Sequence, residues 1–148
     1  FPPVIGWAIA NNSLSIEPII LFLIIFFWTP SHFWSLSLYK SEDYKKAKIP
    51  MLPVVSGVDF TKKNIFAYAL ILFPITILPF YFNFAGLVYL VPTIILGTFY
   101  IFLTFKLLKA NNKKDMVKIS KKIFAFSILY LFLIFTLLLI ESFIKFFK

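Results

Sequence analysis

The chain has 148 residues, 61% of them apolar, and a mean hydropathy of +0.92, whereas soluble domains hold about 45 to 50% apolar residues. This composition excludes an ordinary soluble domain and indicates a membrane protein. The formal net charge of +9 comes from lysines that lie between long uncharged segments, a pattern typical of a cytoplasmic membrane face and not of a protein that binds nucleic acid.

The apolar segments predict the elements of the fold. Residues 1–10 are too short to span a hydrocarbon core of about 30 Å. Because no initiator methionine precedes them, we expect the chain to begin inside a helix, as the C-terminal part of a longer protein. Four later segments lack Asp, Glu and Lys and are each long enough to span: residues 18–38, 65–82, 87–105 and 123–140. The predicted fold class is all-α, a polytopic transmembrane helix bundle with four full spans, as one domain over residues 1–148.

The connections between these segments alternate in charge, which predicts their orientation. Residues 39–63 carry six lysines and residues 106–122 carry seven, whereas residues 7–17 and 83–86 carry none. The positive-inside rule therefore predicts that the loops 39–63 and 106–122 lie on the cytoplasmic or matrix face. The C-terminus then falls on the other side, where two terminal lysines oppose the pattern.

Small and cyclic residues inside the spans predict how the helices pack. Pro74, Pro79 and Pro92 each remove a backbone donor, so we expect kinks that either wrap a cavity or reflect irregular packing. Gly97 predicts a close approach of two helices.

A polar stripe ends the first span. Trp28, His32, Ser35 and Tyr39 recur at helical spacing, so they lie on one face that must meet protein or water. His32 is the only histidine, and an ionisable group near membrane depth is a functional candidate. The alternative is a neutral imidazole that is hydrogen-bonded to a neighbouring helix.

The charged segment after this stripe has the residue types of a site for metal and diphosphate. Asp43, with Glu42 as a second candidate, offers the carboxylate oxygens that Mg²⁺ prefers. The neighbouring lysines would neutralise anionic phosphate oxygens: Lys40, Lys45, Lys46 and Lys48. We take Asp43, Lys40 and Lys46 as the catalytic candidates. The alternative is a solvated loop whose lysines only set the topology.

The next segment, residues 49–55, is apolar and contains Pro50 and Pro53. Such a segment is costly in water unless something covers it, so we expect it to lie over the bundle. The prolines predict a stiff, extended lid or wall above a cavity; a segment that rests on lipid headgroups is the alternative.

Four motifs together carry a family resemblance. They are residues 1–7 (FPPVIGW), 28–34 (WTPSHFW), 43–44 (DY) and 49–57 (IPMLPVVSG). In this order and spacing the chain resembles the C-terminal half of the protohaem IX farnesyltransferases, or haem O synthases, of the UbiA prenyltransferase superfamily. Two departures are Ser31, where the family usually has proline, and Asp43, which stands where many superfamily members have spaced aspartates.

The resemblance implies a nine-helix bundle of which this chain holds the end of helix five and helices six to nine. It implies transfer of a farnesyl group from farnesyl diphosphate to a vinyl group of haem b, assisted by Mg²⁺. Glu42 and Asp43 would occupy the second of two acidic motifs. His32 would contact haem through iron or a propionate, while Trp28 and Tyr39 would line the haem or prenyl pocket.

The same resemblance implies a setting for the enzyme. The membrane would be a bacterial inner membrane or the mitochondrial inner membrane, and partners would be membrane lipid and a haem A synthase or a cytochrome oxidase assembly factor. We expect the chain to be inactive alone, because the first acidic motif is not in it.

Two other functions stay open from the sequence. One is a prenyltransferase for a quinone precursor, which differs mainly in its acceptor pocket. The other is a transporter or a structural membrane subunit, which should place polar groups along the depth of several spans. Here the polar residues gather at one end of one span, which favours a site at one membrane face.

Overall fold

The part of the chain that the structure describes, residues 2–13 and 15–147 of a computed structural model, folds into seven helices. They are α1 Pro2–Asn11, α2 Ile16–Tyr39, α3 Ser41–Lys46, α4 Leu52–Val55, α5 Val58–Tyr81, α6 Leu87–Leu108 and α7 Lys113–Phe146. Within this part there is no strand. Phe1, the first residue of the predicted N-terminal helix segment, lies outside the described residues.

Four of these helices, α2, α5, α6 and α7, are long and apolar enough to cross a membrane. The predictions of an all-α fold and of four spans are therefore confirmed. The helices extend beyond the uncharged segments, and α7 reaches 34 residues. Lysine is a good helix former, so a charge that ends an apolar segment does not end its helix.

The two lysine-rich segments are consequently not the long loops that we expected. Residues 106–122 contain the end of α6 and the start of α7, with only residues 109–112 between them. The side chain of Asn112 starts α7 by accepting a hydrogen bond from the backbone N–H of Lys114 at 3.1 Å. Residues 39–63 contain α3, α4 and residues 58–63 of α5.

The four long helices form a closed ring, since α2 and α6 each pack against both α5 and α7. Buried tyrosines connect opposite members of this ring. Tyr100 of α6 shares a 2.8 Å hydrogen bond with Ser31 of α2, and its ring stacks on Tyr130 of α7 at 5.3 Å. Two tyrosines donate to Thr76 of α5: Tyr130 to its hydroxyl and Tyr89 to its carbonyl. The core is therefore apolar in bulk but joined by satisfied hydroxyl groups.

At Gly97 of α6 the neighbouring group is a side chain of α5, the ring of Phe73. A Cβ atom added at Gly97 would overlap Cδ2 of that ring. The Phe73 ring therefore occupies the space that any other side chain at position 97 would need.

We expect Gly97→Ala to lower the free energy of unfolding by about 1 to 3 kcal/mol, since the added methyl group overpacks the α5–α6 contact. Gly6→Ala is the matched control, because a Cβ added at Gly6 in α1 meets nothing within 4 Å. The measurement is unfolding by sodium dodecyl sulfate in mixed micelles. Equal midpoints for the two variants would contradict the packing role of Gly97.

At the end of the bundle opposite to α3 and α4, the last turns of α7 hold the connection between α5 and α6. Glu141 is only 6% exposed, and its Oε2 accepts a hydrogen bond from the backbone N–H of Tyr89 at 3.1 Å. Lys145 donates to the carbonyl of Asn83 at 2.8 Å. α7 therefore continues past residue 140 and includes Glu141. The carboxylate of Glu141 accepts from a backbone N–H at the N-terminus of α6 that has no partner within its own helix.

Candidate functional site

The polar stripe of α2 packs directly against α7. The indole N–H of Trp28 donates to the carbonyl of Ser127 at 2.8 Å, and Nδ1 of His32 lies 2.7 Å from the hydroxyl of the same serine. The ring of Tyr39, further along, meets Phe124 edge-on at 5.9 Å. The structure thus brings Trp28, His32 and Tyr39 together on one face, as their spacing predicts.

The imidazole of His32 is held by two aromatic rings. Trp28 stacks on it at 4.3 Å between ring centroids, and Phe124 stacks at 4.7 Å. Of the two ring nitrogens of His32, only Nδ1 makes a hydrogen bond within the described part of the chain. This is the geometry of a histidine bound to a neighbouring helix, with Nε2 left for another partner.

The fourth member of the stripe, Ser35, is buried and turns back along its own helix. Its hydroxyl donates to the carbonyl of His32 at 2.7 Å. This bond uses the donor of the hydroxyl within α2, so Ser35 supports its own helix.

The acidic pair lies in α3 and its two members have different partners. Asp43 forms an ion pair with Lys40 at 3.2 Å, and Glu42 forms one with Lys113 of α7 at 2.6 Å. The hydrogen bond and the charge of Lys113 hold the pKa of Glu42 below its usual range, and the charges of Lys45 and Lys46 lower it further. All these side chains are exposed, so they can be approached from water.

The carboxylates of this chain make only part of a metal site. Within the described residues, no group of three His, Asp or Glu side chains converges to hold an ion. Mg²⁺, however, is usually bound through one or two carboxylates together with substrate phosphates and water. The exposed oxygens of Asp43 and Glu42 fit that partial role.

Lys46 shares the lack of an ion-pair partner with Lys45 and Lys48 in the described part of the chain, whereas Lys40 is paired with Asp43. The ammonium group of Lys46 is therefore available to an anion without the loss of an existing contact.

The segment after α3 is not the extended lid that we expected. The chain leaves α3 through Lys48, whose φ of 55° lets the N–H of Ile49 reach back to the carbonyl of Tyr44 at 3.0 Å. Residues 52–55 then form one helical turn, α4, because Pro53 lies in its first turn, where no backbone donor is needed. Pro53 is buried, and α4 packs against α2, α3 and α5, so the segment does cover the end of the bundle.

Lys62 of α5 is a buried cation that the sequence pattern does not single out. Its Nζ donates to the carbonyl of Ala110 at 2.7 Å and pairs with Asp59 at 3.1 Å. The spacing of Asp59 and Lys62 indicates an ion pair, but the carbonyl partner is 48 residues away and leaves no signal in the sequence. Lys62 joins α5 to the connection between α6 and α7 and is structural.

Comparison with known proteins identifies relatives of this chain. Residues 1–128 match the UbiA prenyltransferase family. A protoheme IX farnesyltransferase from Pelagibacter ubique is 60% identical over 141 residues, which are 95% of this chain and 46% of that protein. One from Parvibaculum lavamentivorans is 51% identical over 142 residues, which are 96% of this chain and 45% of that protein.

These matches also set a limit. The chain spans about half the length of the curated relatives that it matches. No solved structure matches it. A transporter or structural subunit, the alternative from another class, has no support from these matches, since the family and the relatives are named for prenyl transfer.

Proposed function

This chain belongs to the UbiA prenyltransferase family. On that premise we propose that it is part of a protein that transfers a farnesyl group from farnesyl diphosphate to haem b. The observation that carries the proposal is the 60% identity to a relative named protoheme IX farnesyltransferase, over 95% of this chain. We further propose that residues 1–148 are the C-terminal part of one transmembrane prenyltransferase domain. The first acidic motif would then come from residues outside this chain.

In the proposed reaction, the bond between the allylic carbon and the diphosphate oxygen breaks, and a new bond forms to a vinyl carbon of haem b. Water adds to the neighbouring carbon, which has become cationic, and loses a proton to solvent, which gives the hydroxyethylfarnesyl group of haem O. Mg²⁺, when bound, would offset the negative charge that develops on the departing diphosphate. In this chain, Asp43 and Glu42 would hold that ion.

Two lysines would bind the same diphosphate: Lys46 in α3 and Lys40, which directly precedes α3. Lys46 is unpaired in the described part of the chain and would bind a phosphate oxygen directly. Lys40 would do so once Asp43 turns from it, because their exposed ion pair is worth at most about 1 kcal/mol. The apolar ring of α2, α5, α6 and α7 would keep water from the allylic cation until transfer is complete.

The location of the site supports a proposed orientation. Asp43, Lys40 and Lys46 lie at the bundle end that also carries the lysines of the α6–α7 connection. By the positive-inside rule we place this end on the cytoplasmic or matrix face of a bacterial or mitochondrial inner membrane. A haem A synthase or a cytochrome oxidase assembly factor is the proposed partner there.

The test of the function is expression of the complete protein in membranes, with haem b and farnesyl diphosphate supplied, followed by chromatography of the extracted haems. We expect haem O, and none when farnesyl diphosphate is left out. A folded preparation that yields no haem O would overturn the proposal. Prenylation of an added aromatic quinone precursor in its place would assign the family's chemistry to that acceptor.

His32 gives a prediction about the acceptor. We propose that Nε2 contacts haem, while Nδ1 keeps its bond to Ser127. His32→Asn removes Nε2 but retains a polar atom near the position of Nδ1, so we expect the KM for haem b to rise about tenfold, the scale of one lost hydrogen bond to a charged group. The KM for farnesyl diphosphate should not change.

Two companion variants separate this role from simple packing. His32→Gln places its amide near the position of Nε2 and should recover part of the affinity for haem b. Ser127→Ala removes only the partner of Nδ1 and should lower stability more than haem affinity. Equal KM values for haem b in wild type and His32→Asn would refute the haem contact.

A further inference from the structure

The lysines at the meeting point of α6 and α7 line a cavity that the proposed reaction does not use. Its volume is about 470 Å³. Four lysines and a single aspartate give it a formal excess of three positive charges: Lys106, Lys109, Lys118, Lys122 and Asp115. None of the three ion pairs in the described part of the chain involves any of them. The cavity therefore carries positive charge that the protein does not neutralise, which suits an anionic ligand.

An apolar groove continues from this cavity between the same two helices. A second cavity, of about 410 Å³, shares Leu103 and Lys122 with the first and has the side chains of Phe99, Phe126 and Leu129 as walls. A third, of about 270 Å³, follows along the same pair of helices and is lined only by apolar residues. We call the three together the α6–α7 groove.

The spacing of the lining residues makes the α6–α7 groove continuous along one face. On α7 the residues that line it after Lys122 come at helical intervals, ending with Leu133 and Leu137. From Lys122 to Leu137 the helix rises about 22 Å. That exceeds the depth of one leaflet, which is half of a hydrocarbon core of about 30 Å, so the groove is long enough for one acyl chain.

From this arrangement we propose that the α6–α7 groove binds an anionic phospholipid. Its phosphate lies among the lysines, and one acyl chain lies along the apolar walls. Clusters of basic side chains at the membrane surface attract anionic headgroups, and each basic side chain raises the affinity by a factor of about five. The proposal does not depend on the farnesyl transfer, because it uses no residue of the candidate active site.

A prenyl diphosphate has the same general chemistry, but the groove fits a lipid better. Its walls lie on the outer surface of the ring, where Phe99 and Leu129 are 47% and 49% exposed. In the described chain, a ligand there is open to the outside of the ring along its length, as suits a bilayer lipid. A reactive allylic chain instead needs a site that is shielded from its surroundings.

The experiment is native mass spectrometry of the complete purified protein in detergent, titrated with phosphatidylglycerol or phosphatidylcholine. The variant pair Lys118→Gln with Lys122→Gln removes two charges from the groove. The matched pair Lys63→Gln with Lys114→Gln removes two exposed lysines at the same bundle end and outside the groove. Ala125→Phe fills the apolar wall and leaves the charges in place.

We expect wild type to retain phosphatidylglycerol in preference to phosphatidylcholine. The groove pair should bind phosphatidylglycerol about 25-fold more weakly, at a factor of about five for each lysine, whereas the matched pair should bind it like wild type. Ala125→Phe should weaken the binding of both lipids. Thermal unfolding of each variant checks that it is folded.

Three results would overturn the proposal. The first is equal retention of the two lipids by wild type. The second is an equal loss of affinity in the groove pair and the matched pair, which would show that the groove lysines act only as general surface charge. The third is displacement of the bound lipid by a stoichiometric amount of farnesyl diphosphate, which would make the α6–α7 groove a substrate site.

Discussion

Asp43→Asn should lower the yield of haem O by about 100-fold or more, the scale of losing one group that stabilises charge in the transition state. The substitution keeps the size of the side chain and removes the negative charge that would hold the cation beside the diphosphate. It breaks the ion pair with Lys40, but both side chains are more than half exposed, so the fold should not depend on it. The assay is chromatography of haems from membranes that contain equal amounts of the complete variant and wild-type proteins.

A matched control is available on the same end of the bundle. Asp59 is also an exposed aspartate that pairs with a lysine three residues away. Asp59→Asn should keep most of the wild-type yield, because Lys62 retains its bond to the carbonyl of Ala110. Similar yields from Asp43→Asn and Asp59→Asn would reject the assignment of Asp43, while the family membership would stand.

The proposed dependence on Mg²⁺ would add a second readout for Asp43. If its carboxylate is one ligand of the ion, Asp43→Asn should require more Mg²⁺ for half of its own maximal rate. Glu42→Gln should shift this requirement less, since Glu42 already has Lys113 as a partner at 2.6 Å. The same Mg²⁺ requirement in wild type and Asp43→Asn would show that Asp43 acts in another way.

Glu141→Ala should lower the free energy of unfolding by about 2 to 4 kcal/mol. The change leaves the buried N–H of Tyr89 without an acceptor and opens a cavity beside Gly86, where the carboxylate now packs. Lys145 still holds the carbonyl of Asn83, so the loss should be confined to the start of α6. Unfolding by sodium dodecyl sulfate in mixed micelles, with the complete protein, measures the difference.

Two further variants test the cause of that loss. Glu141→Gln keeps an acceptor oxygen and loses only the interaction of charge with the helix dipole, so it should cost about 0.5 to 1 kcal/mol. Ser142→Ala changes the exposed neighbour and should leave stability near that of wild type. A loss in Glu141→Gln as large as that in Glu141→Ala would assign the effect to charge and not to the missing acceptor.

The sequence predicts the spans well because hydropathy and length follow directly from the bilayer. It predicts their ends poorly, since lysines can continue a helix, as they do over the first turns of α7. It also predicts that His32 and Trp28 share a face, because this depends only on helical spacing. Their common partner Ser127 lies 95 residues beyond His32, and only the packing of α2 on α7 brings it there.

The candidate site shows the same division between local and distant effects. The composition around Asp43 indicates anion and metal chemistry, and its pairing with Lys40 is a local i, i+3 contact. The partner of Glu42 is Lys113, which is 71 residues away and cannot be inferred from spacing. The helical turn at Pro53 was missed because proline rules out an interior helix position but not the first turn.

The contacts of Ser127 also bear on how the protein enters the membrane. Until α7 has been made and inserted, the indole N–H of Trp28 and the imidazole of His32 lack their partner and would face lipid. An unpaired polar group in hydrocarbon is costly, so a chain that lacks α7 should hold α2 less stably in the membrane. By packing on α2, α7 both closes the ring of four helices and covers the polar face of α2.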